Sequence, residues 1–414
     1  MITLTEKNNM SRRDFLKIAG IGGAGVVVGS TGLGTSLLAI NHFGKDNKNT
    51  KHKVNFYGKY QSGIISDVQK HVYFVVLELH SKDISEVKDM FKKWTAHSIK
   101  LMNGDLIAPT TDNTLLPTID TGEAVGLDAA RLTLTFGVSP TFFDKLKITD
   151  KRPTALKDLP HFPKDQLDEQ LTGGDIVIQA CSDDPQVNFH AIRNLVRASS
   201  GLVTMKWAQV GFNSFEEKDG KVQTPRNLFS FKDGTANPKA HQTGALNQYI
   251  FADSGWEKNG SYLVARKIQM HLETWDRTAL EDQEATFGRH RESGAPLGKK
   301  DEFDIVNIDE KDDQGNYVIP EDSHVHLSKK AKTKMLRRSF SYTNGVNEKT
   351  GAFDAGLIFI SFQKSPEQFT QIQSMLGRVD RMNEYITHRG SGVFLAFPGV
   401  KEGGYIGETL FDSI

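Results

Sequence analysis

The stretch from Ile319 to Tyr342, IPEDSHVHLSKKAKTKMLRRSFSY, runs from a turn through two histidines and a lysine-rich connector to a twin arginine. An imidazole can hold a metal through one nitrogen while a hydrogen bond orients the other. A fixed guanidinium stabilises negative charge that develops in a water-poor cavity. If Ser323 to Leu327 is extended, side chains alternate with period two, and His324 and His326 share a face. Only one of them fits a single axial position, and His324, directly after the turn at Asp322 and Ser323, is favoured. Upstream, NLFSFKDGTANP (227–238) carries Asp233 in a loop marked by Gly234 and Asn237-Pro238, where backbone freedom can aim a carboxylate inward. Taken singly, Asp-Gly is a turn and a histidine pair is structural. An acid, an imidazole and a guanidinium together would make a site.

The elements that must position these groups read as α+β. Val72 to Leu79, Leu132 to Val138, Asp175 to Ala180 and Leu202 to Phe212 read as strands, with helices at Ile84 to Ile99 and Pro185 to Ser199. That order, β-α-β-β-α-β, is a ferredoxin-like unit. It recurs as strands at Tyr262 to Leu272, Leu336 to Tyr342, Leu357 to Phe362 and Val393 to Phe397, with helices at Thr278 to Phe287 and Pro366 to Tyr385. Gly174, Ile176, Ile178, Pro185, Phe189 and Ile192 align with Gly356, Ile358, Ile360, Pro366, Phe369 and Ile372, which suggests a duplication. Two such layers facing each other would leave a deep cavity for a cofactor between them.

Length and composition narrow the function classes. A chain of 414 residues exceeds one ordinary core, so two halves are expected. Lys plus Arg and Asp plus Glu both number 51, which argues against a nucleic-acid binder. The lone Cys181 excludes an intrachain disulfide and a cysteine-cluster metal site. Ser11-Arg12-Arg13-Asp14-Phe15-Leu16-Lys17 is a twin-arginine motif, and the glycine-rich stretch Ile18 to Ile40 that follows is uncharged. Export by the twin-arginine route is expected, to the cell envelope or beyond, with the cofactor already inserted. The expected organisation is a signal segment at 1–42, a linker at 43–60, a first half at 61–225 and a second half, carrying the site, at 226–414.

The segments FKDGTANP (231–238), SYLVARKIQMHLETWDR (261–277), SGAPLG (293–298), DSHVHL (322–327), MLRRSFSY (335–342) and GSGVFLAFPG (390–399) resemble the dye-decolourising peroxidase family, and within it the exported deferrochelatase/peroxidase branch. The resemblance implies haem b held by two ferredoxin-like halves, in a pocket between the sheet and the helices of the second half. It implies His324 as the proximal iron ligand, Asp233 as the distal carboxylate, Arg337 as the distal arginine and Asp380 as the carboxylate partner of the ligand. Gly234, Thr235 and Ala236 would line the cofactor. Where the family's loop opens with glycine, as G-x-x-D-G, this chain has Ser230.

The implied activity is peroxide-driven oxidation of reducing substrates, with release of iron from haem that leaves protoporphyrin. The implied partners are haem, hydrogen peroxide, an iron-uptake envelope lipoprotein and an iron permease, with a homo-oligomer also in view. The alternative is a haem-binding or haem-transfer protein without turnover, which would have little use for Asp233 and Arg337. A nucleophile elbow or a helical i, i+4 histidine pair, as a hydrolase would need, is absent from the sequence. His271 and His290 read as structural; Arg277 and Arg289 read as propionate contacts or as partners of Glu273 and Glu292.

Overall fold

The computed structural model describes residues 52–109, 111 and 113–414. The twin-arginine motif and the stretch after it lie outside the described residues. Among the described residues no helix is long and apolar enough to cross a membrane.

The first half contains strands β1 (His71–Leu79), β2 (Thr133–Val138), β3 (Ile176–Ser182) and β4 (Val203–Phe212), with helices α1 (Ile84–Met102) and α2 (Pro185–Ala198). Helix α1 starts where Asp83 accepts from the Ser85 and Glu86 amides. It buries Val87, Met90, Phe91, Trp94 and Leu101, an i, i+3, i+4 stripe facing the sheet. Proline opens α2 after the Asp184 cap, where the missing N–H has no helical partner to lose. The second half supplies β5 (Ser261–Met270), α3 (Leu280–Phe287), α4 (His324–Lys330), β6 (Leu336–Arg337), β7 (Phe340–Val346), β8 (Phe353–Gln363), α5 (Pro366–Val379) and β9 (Ile386–Ala396).

Strand order within the first half is β2-β3-β1-β4 and within the second β7-β8-β5-β9, the same antiparallel ferredoxin-like arrangement twice. The two sheets also join at both edges. Phe212 on β4 pairs with Ser341 on β7, and Val138 and Gly137 on β2 pair with Leu395 and Ala396 on β9. Eight strands therefore close on themselves, and the short β6 hangs outside on β8 through Arg337–Ser361 and Leu336–Phe362. Closure removes the exposed edges that would otherwise invite aggregation.

Alternation along each strand sends one set of side chains into this ring and the other outward to the helices. Val72, Phe74 and Val76 on β1 pack inward with Leu263, Ala265, Ile358, Ile360 and Phe394. Val75, Leu77 and Leu79 pack outward under α1 and α2. The interior of the strand ring is thus a packed apolar core rather than the cofactor cavity expected between the layers. The residue-by-residue duplication needs a second correction. Ile176 and Ile178 face outward, whereas Ile358 and Ile360 face inward, and Phe189 is exposed where Phe369 is buried. The halves share topology, but that alignment was one residue out of register on the strand, which exchanges the faces.

Candidate active site

The site is built on the outer face of the second half. Asp233 is held by a loop with its own anchors. The Asn227 side chain accepts from the amides of Phe229 and Phe231. Both rings sink into an aromatic cluster, Phe229 on Trp275 at 4.4 Å between centroids and Phe231 stacked on Phe287 at 3.9 Å. The Asp233 amide donates to Pro225 O at 2.8 Å, and the turn closes with Asn237 N to Gly234 O at 3.0 Å. Gly234 has φ +113°, a conformation closed to side chains though the space beside it is open.

Ser230, which replaces the glycine of the resembled motif, has φ +68°. The chain therefore keeps the left-handed turn that glycine would give, at a strain of about 1–2 kcal/mol for an L-residue. Ser230→Gly should raise the melting temperature, by relief of roughly that strain less about 0.5–1 kcal/mol of glycine entropy. A lower melting temperature in a thermal scan would contradict the turn assignment.

Arg337 lies on β6, with its Nη1 3.2 Å from Asp233 Oδ1. Its backbone is gripped by one side chain: Asn237 Nδ2 donates to Arg337 O at 2.7 Å, and Arg337 N donates to Asn237 Oδ1 at 3.0 Å. Its neighbour Arg338 points the other way and is buried, donating to Ser66 O at 2.6 Å, to Asp67 O at 3.2 Å and to Gln69 Oε1. One arginine of the twin reaches the Asp233 loop, while the other ties the second half to the first.

His324 to Leu327 is helical rather than extended, and this overturns the shared face expected for the two histidines. Ser323 caps α4 by accepting from the His326 amide, and His324 is the first helical residue. At about 100° per residue, positions two apart point to opposite sides. His326 turns inward, buried, with Nδ1 3.2 Å from Ile319 O. His324 remains about 31% exposed and sets Nδ1 2.8 Å from Asp380 Oδ2. Asp380 is buried at the end of α5, where its other oxygen accepts from Met382 N at 2.9 Å. Nδ1 of His324 is thereby committed and Nε2 is left to face outward, 6.5 Å separating the ring centroid from that of Phe287. Phe287 links the two regions, stacked on Phe231 of the Asp233 loop at 3.9 Å and lying 6.5 Å from the His324 ring.

Of the other expected lining residues, Thr235 donates to Glu302 Oε1 at 2.8 Å, and Ala236 is exposed. Sequence reasoning missed Asn237, Lys232 and Glu302. Lys232 and Glu302 form an ion pair of 2.5 Å with both side chains largely buried. Arg289 bonds Gly294 O and Glu302 O rather than Glu292. Burial pushes the Glu302 carboxyl up, but hydrogen bonds from Lys232, Thr224 and Thr235 outweigh it and hold it below the usual 4.5. A depressed carboxylate contributes stability above its unfolded value, and loses it as pH falls through the folded one. Glu302→Gln should therefore lower the melting temperature at neutral pH, with the gap to wild type closing below about pH 4.5. A gap that persists in acid would remove the ion pair from the loop's support.

A lone oriented imidazole is the donor set that a porphyrin iron needs, because the macrocycle supplies the other four nitrogens. Among the described residues no group of three or more His, Cys, Asp or Glu could hold a bare ion. The outer face also carries buried polar atoms without partners, Ser361 Oγ beside Arg337 in the ladder and Arg266 Nε and Nη1 on β5. These residues fit haem.

Comparison with known proteins decides the family. Residues 61–213 match the N-terminal region of Dyp-type peroxidases and residues 224–401 the C-terminal region. The chain belongs to the Dyp-type peroxidase family. It is 33% identical over 421 aligned residues to the deferrochelatase of Escherichia coli strain K12, covering 97% of each chain. The DyP-type peroxidase of Streptomyces coelicolor superposes with a TM-score of 0.81 at 32% identity, over 87% of this chain and 97% of that one. Ferric DtpA from Streptomyces lividans does so with 0.80 at 32%, over the same shares. This Dyp-type peroxidase is an enzyme of the haem peroxidase class, so the passive-carrier reading falls away.

Proposed function

We propose that His324 would hold the iron of haem b and that Asp233 and Arg337 would act on the hydrogen peroxide that this iron activates. Haem, when bound, supplies the iron at which peroxide is activated. Asp233 takes the proton from the inner peroxide oxygen and returns it to the outer one through its carboxylate. Arg337, already within 3.2 Å of that carboxylate, stabilises the negative charge on the departing oxygen. The Nδ1 hydrogen bond to Asp380 fixes the His324 ring and raises its basicity. The observation that carries the reading is the Asp233–Arg337 contact, an acid and a guanidinium aimed together, in a chain whose His324 imidazole is oriented by Asp380.

Asn237 is a positioning residue in this scheme. Asn237→Leu keeps the volume but removes two hydrogen bonds to the Arg337 backbone, each worth about 0.5–1.5 kcal/mol. The reaction with peroxide should slow by about tenfold in stopped-flow while haem affinity holds. An unchanged rate would mean that β6 alone places Arg337.

The finer reading is an exported deferrochelatase that releases iron from haem and leaves protoporphyrin intact. It is supported by the 33% identity to a deferrochelatase along nearly the whole chain and by the twin-arginine motif at 11–17. An envelope lipoprotein and an iron permease are its proposed partners in iron uptake. Incubating purified protein with haem, with and without peroxide, tests it: recovered protoporphyrin supports iron release, whereas a cleaved tetrapyrrole or unchanged haem refutes it.

A further inference from the structure

From Ser323 to Asn347 the chain carries six lysines and arginines and no aspartate or glutamate, although the two kinds balance at 51 each over the whole sequence. Two of the six are engaged: Arg337 contacts Asp233, and Arg338 is buried against Ser66, Asp67 and Gln69. The other four, Lys329, Lys330, Lys332 and Lys334, are exposed, and among the described residues none of them forms an ion pair.

Local structure sets the four out together. Lys329 and Lys330 close α4, where they complement the helix dipole. The helix stops at Ala331, and Lys332 follows with φ +53°, a left-handed residue that turns the chain. Gln368 Nε2 then donates to Lys334 O at 2.6 Å and pins the connector to the first turn of α5. Helix α5, which packs on α4, adds Arg378 in its last turn and has Glu367 as its one carboxylate between Pro366 and Val379. Lys364 and Arg381, which flank α5, are matched by Asp253 at 2.6 Å and Asp322 at 2.8 Å. The unmatched charge is therefore gathered at the end of α4 and in the turn after it.

The residue types indicate what such a patch meets. Lysine presents a mobile, strongly hydrated point charge, without the planar fork by which arginine reads one carboxylate or phosphate. Between the four stand only Ala331 and Thr333, both half-buried. The patch thus lacks the apolar centre of a protein interface and the aromatic rings on which nucleic-acid bases stack. A smeared negative charge suits it, and a bilayer containing anionic phospholipids offers one.

We propose that the Lys329–Lys334 face docks the protein on an anionic membrane surface. Export by the twin-arginine route would bring the chain to such a surface, and the docking is independent of the peroxidase reading. His324 opens the helix that Lys330 closes, about 9 Å away along the axis at 1.5 Å per residue. The docked protein therefore holds its imidazole end close to the lipid headgroups.

The test is sedimentation of the purified full chain with vesicles of phosphatidylcholine alone, or of three parts phosphatidylcholine to one of phosphatidylglycerol, at low and at high salt. Wild type is compared with the fourfold variant Lys329→Gln, Lys330→Gln, Lys332→Gln and Lys334→Gln. The control loses four exposed lysines dispersed along the sequence, Lys82→Gln, Lys157→Gln, Lys311→Gln and Lys401→Gln. All three proteins carry the same N-terminal segment, and the phosphatidylcholine vesicles report what that segment contributes. Each lysine near an anionic bilayer strengthens binding by about fivefold. The patch variant should therefore bind the mixed vesicles at least about tenfold more weakly, whereas the control should bind as wild type does. High salt should remove the difference by screening the charges. Melting temperatures show whether the fourfold variant folds. If it does not, its two halves, Lys329→Gln with Lys330→Gln and Lys332→Gln with Lys334→Gln, carry the comparison. Equal binding by wild type and the patch variants, or an equal loss in the control, overturns the proposal. So does equal binding of wild type to both kinds of vesicle. Retention on immobilised polyglutamate without binding to the mixed vesicles overturns it too, and makes the patch a contact for an acidic protein.

Discussion

His324→Ala is expected to abolish stable haem retention and to displace the Soret band of whatever haem remains. Removing an outer partner of a metal ligand costs about 10–100-fold in affinity, so Asp380→Asn should fall in that range and loss of the ligand should exceed it. His326 cannot substitute: it lies on the opposite side of α4, buried, with its Nδ1 against Ile319 O. Haem titration followed by gel filtration measures both variants. A wild-type spectrum and full retention in His324→Ala would place the ligand elsewhere in the chain.

Asp233→Asn should spare haem binding and slow the reaction with peroxide by about 10²–10⁴-fold, the usual contribution of a positioned proton carrier. The amide keeps the shape of the loop, whose hold on the backbone comes from Asn227, Phe229 and Phe231 rather than from the Asp233 side chain. Stopped-flow mixing of haem-loaded protein with peroxide gives the rate directly, apart from any reductant. Unchanged kinetics would remove Asp233 from the mechanism and leave Arg337 as the only group of the pair acting on peroxide.

How far this could be read from the sequence depended on whether the signal was local. The strands and long helices announced themselves: Pro366 opens α5 where the alternation of β8 ends, and the stripe from Val87 to Leu101 repeats with helical spacing. The residues brought into contact were legible as motifs, because Asp233 and Arg337 sit in short segments with distinctive order. The helix at His324 was not, since four residues from Ser323 suit a strand and a capped turn equally. The signal that would have distinguished them was Ser323 as a cap, with Lys329 and Lys330 in the last turn complementing the helix dipole.

Ring closure through Phe212–Ser341 and Leu395–Val138 is a long-range pairing that no local pattern encodes. For that reason the interior was misread as a cavity. Asn237 was visible only as a turn residue, and its grip on Arg337, 100 residues away, depends on the folded register. Glu302 lay in a stretch without periodicity, where only its burial against Lys232 distinguishes it from the surrounding surface charges.

The most direct test of the central claim is a crystal structure of the haem-loaded protein. The prediction is iron bound by His324 Nε2, with Asp380 still on Nδ1 and Asp233 and Arg337 over the other face of the porphyrin. Haem seated with another residue on its iron, or with that face turned away from Asp233 and Arg337, would contradict it.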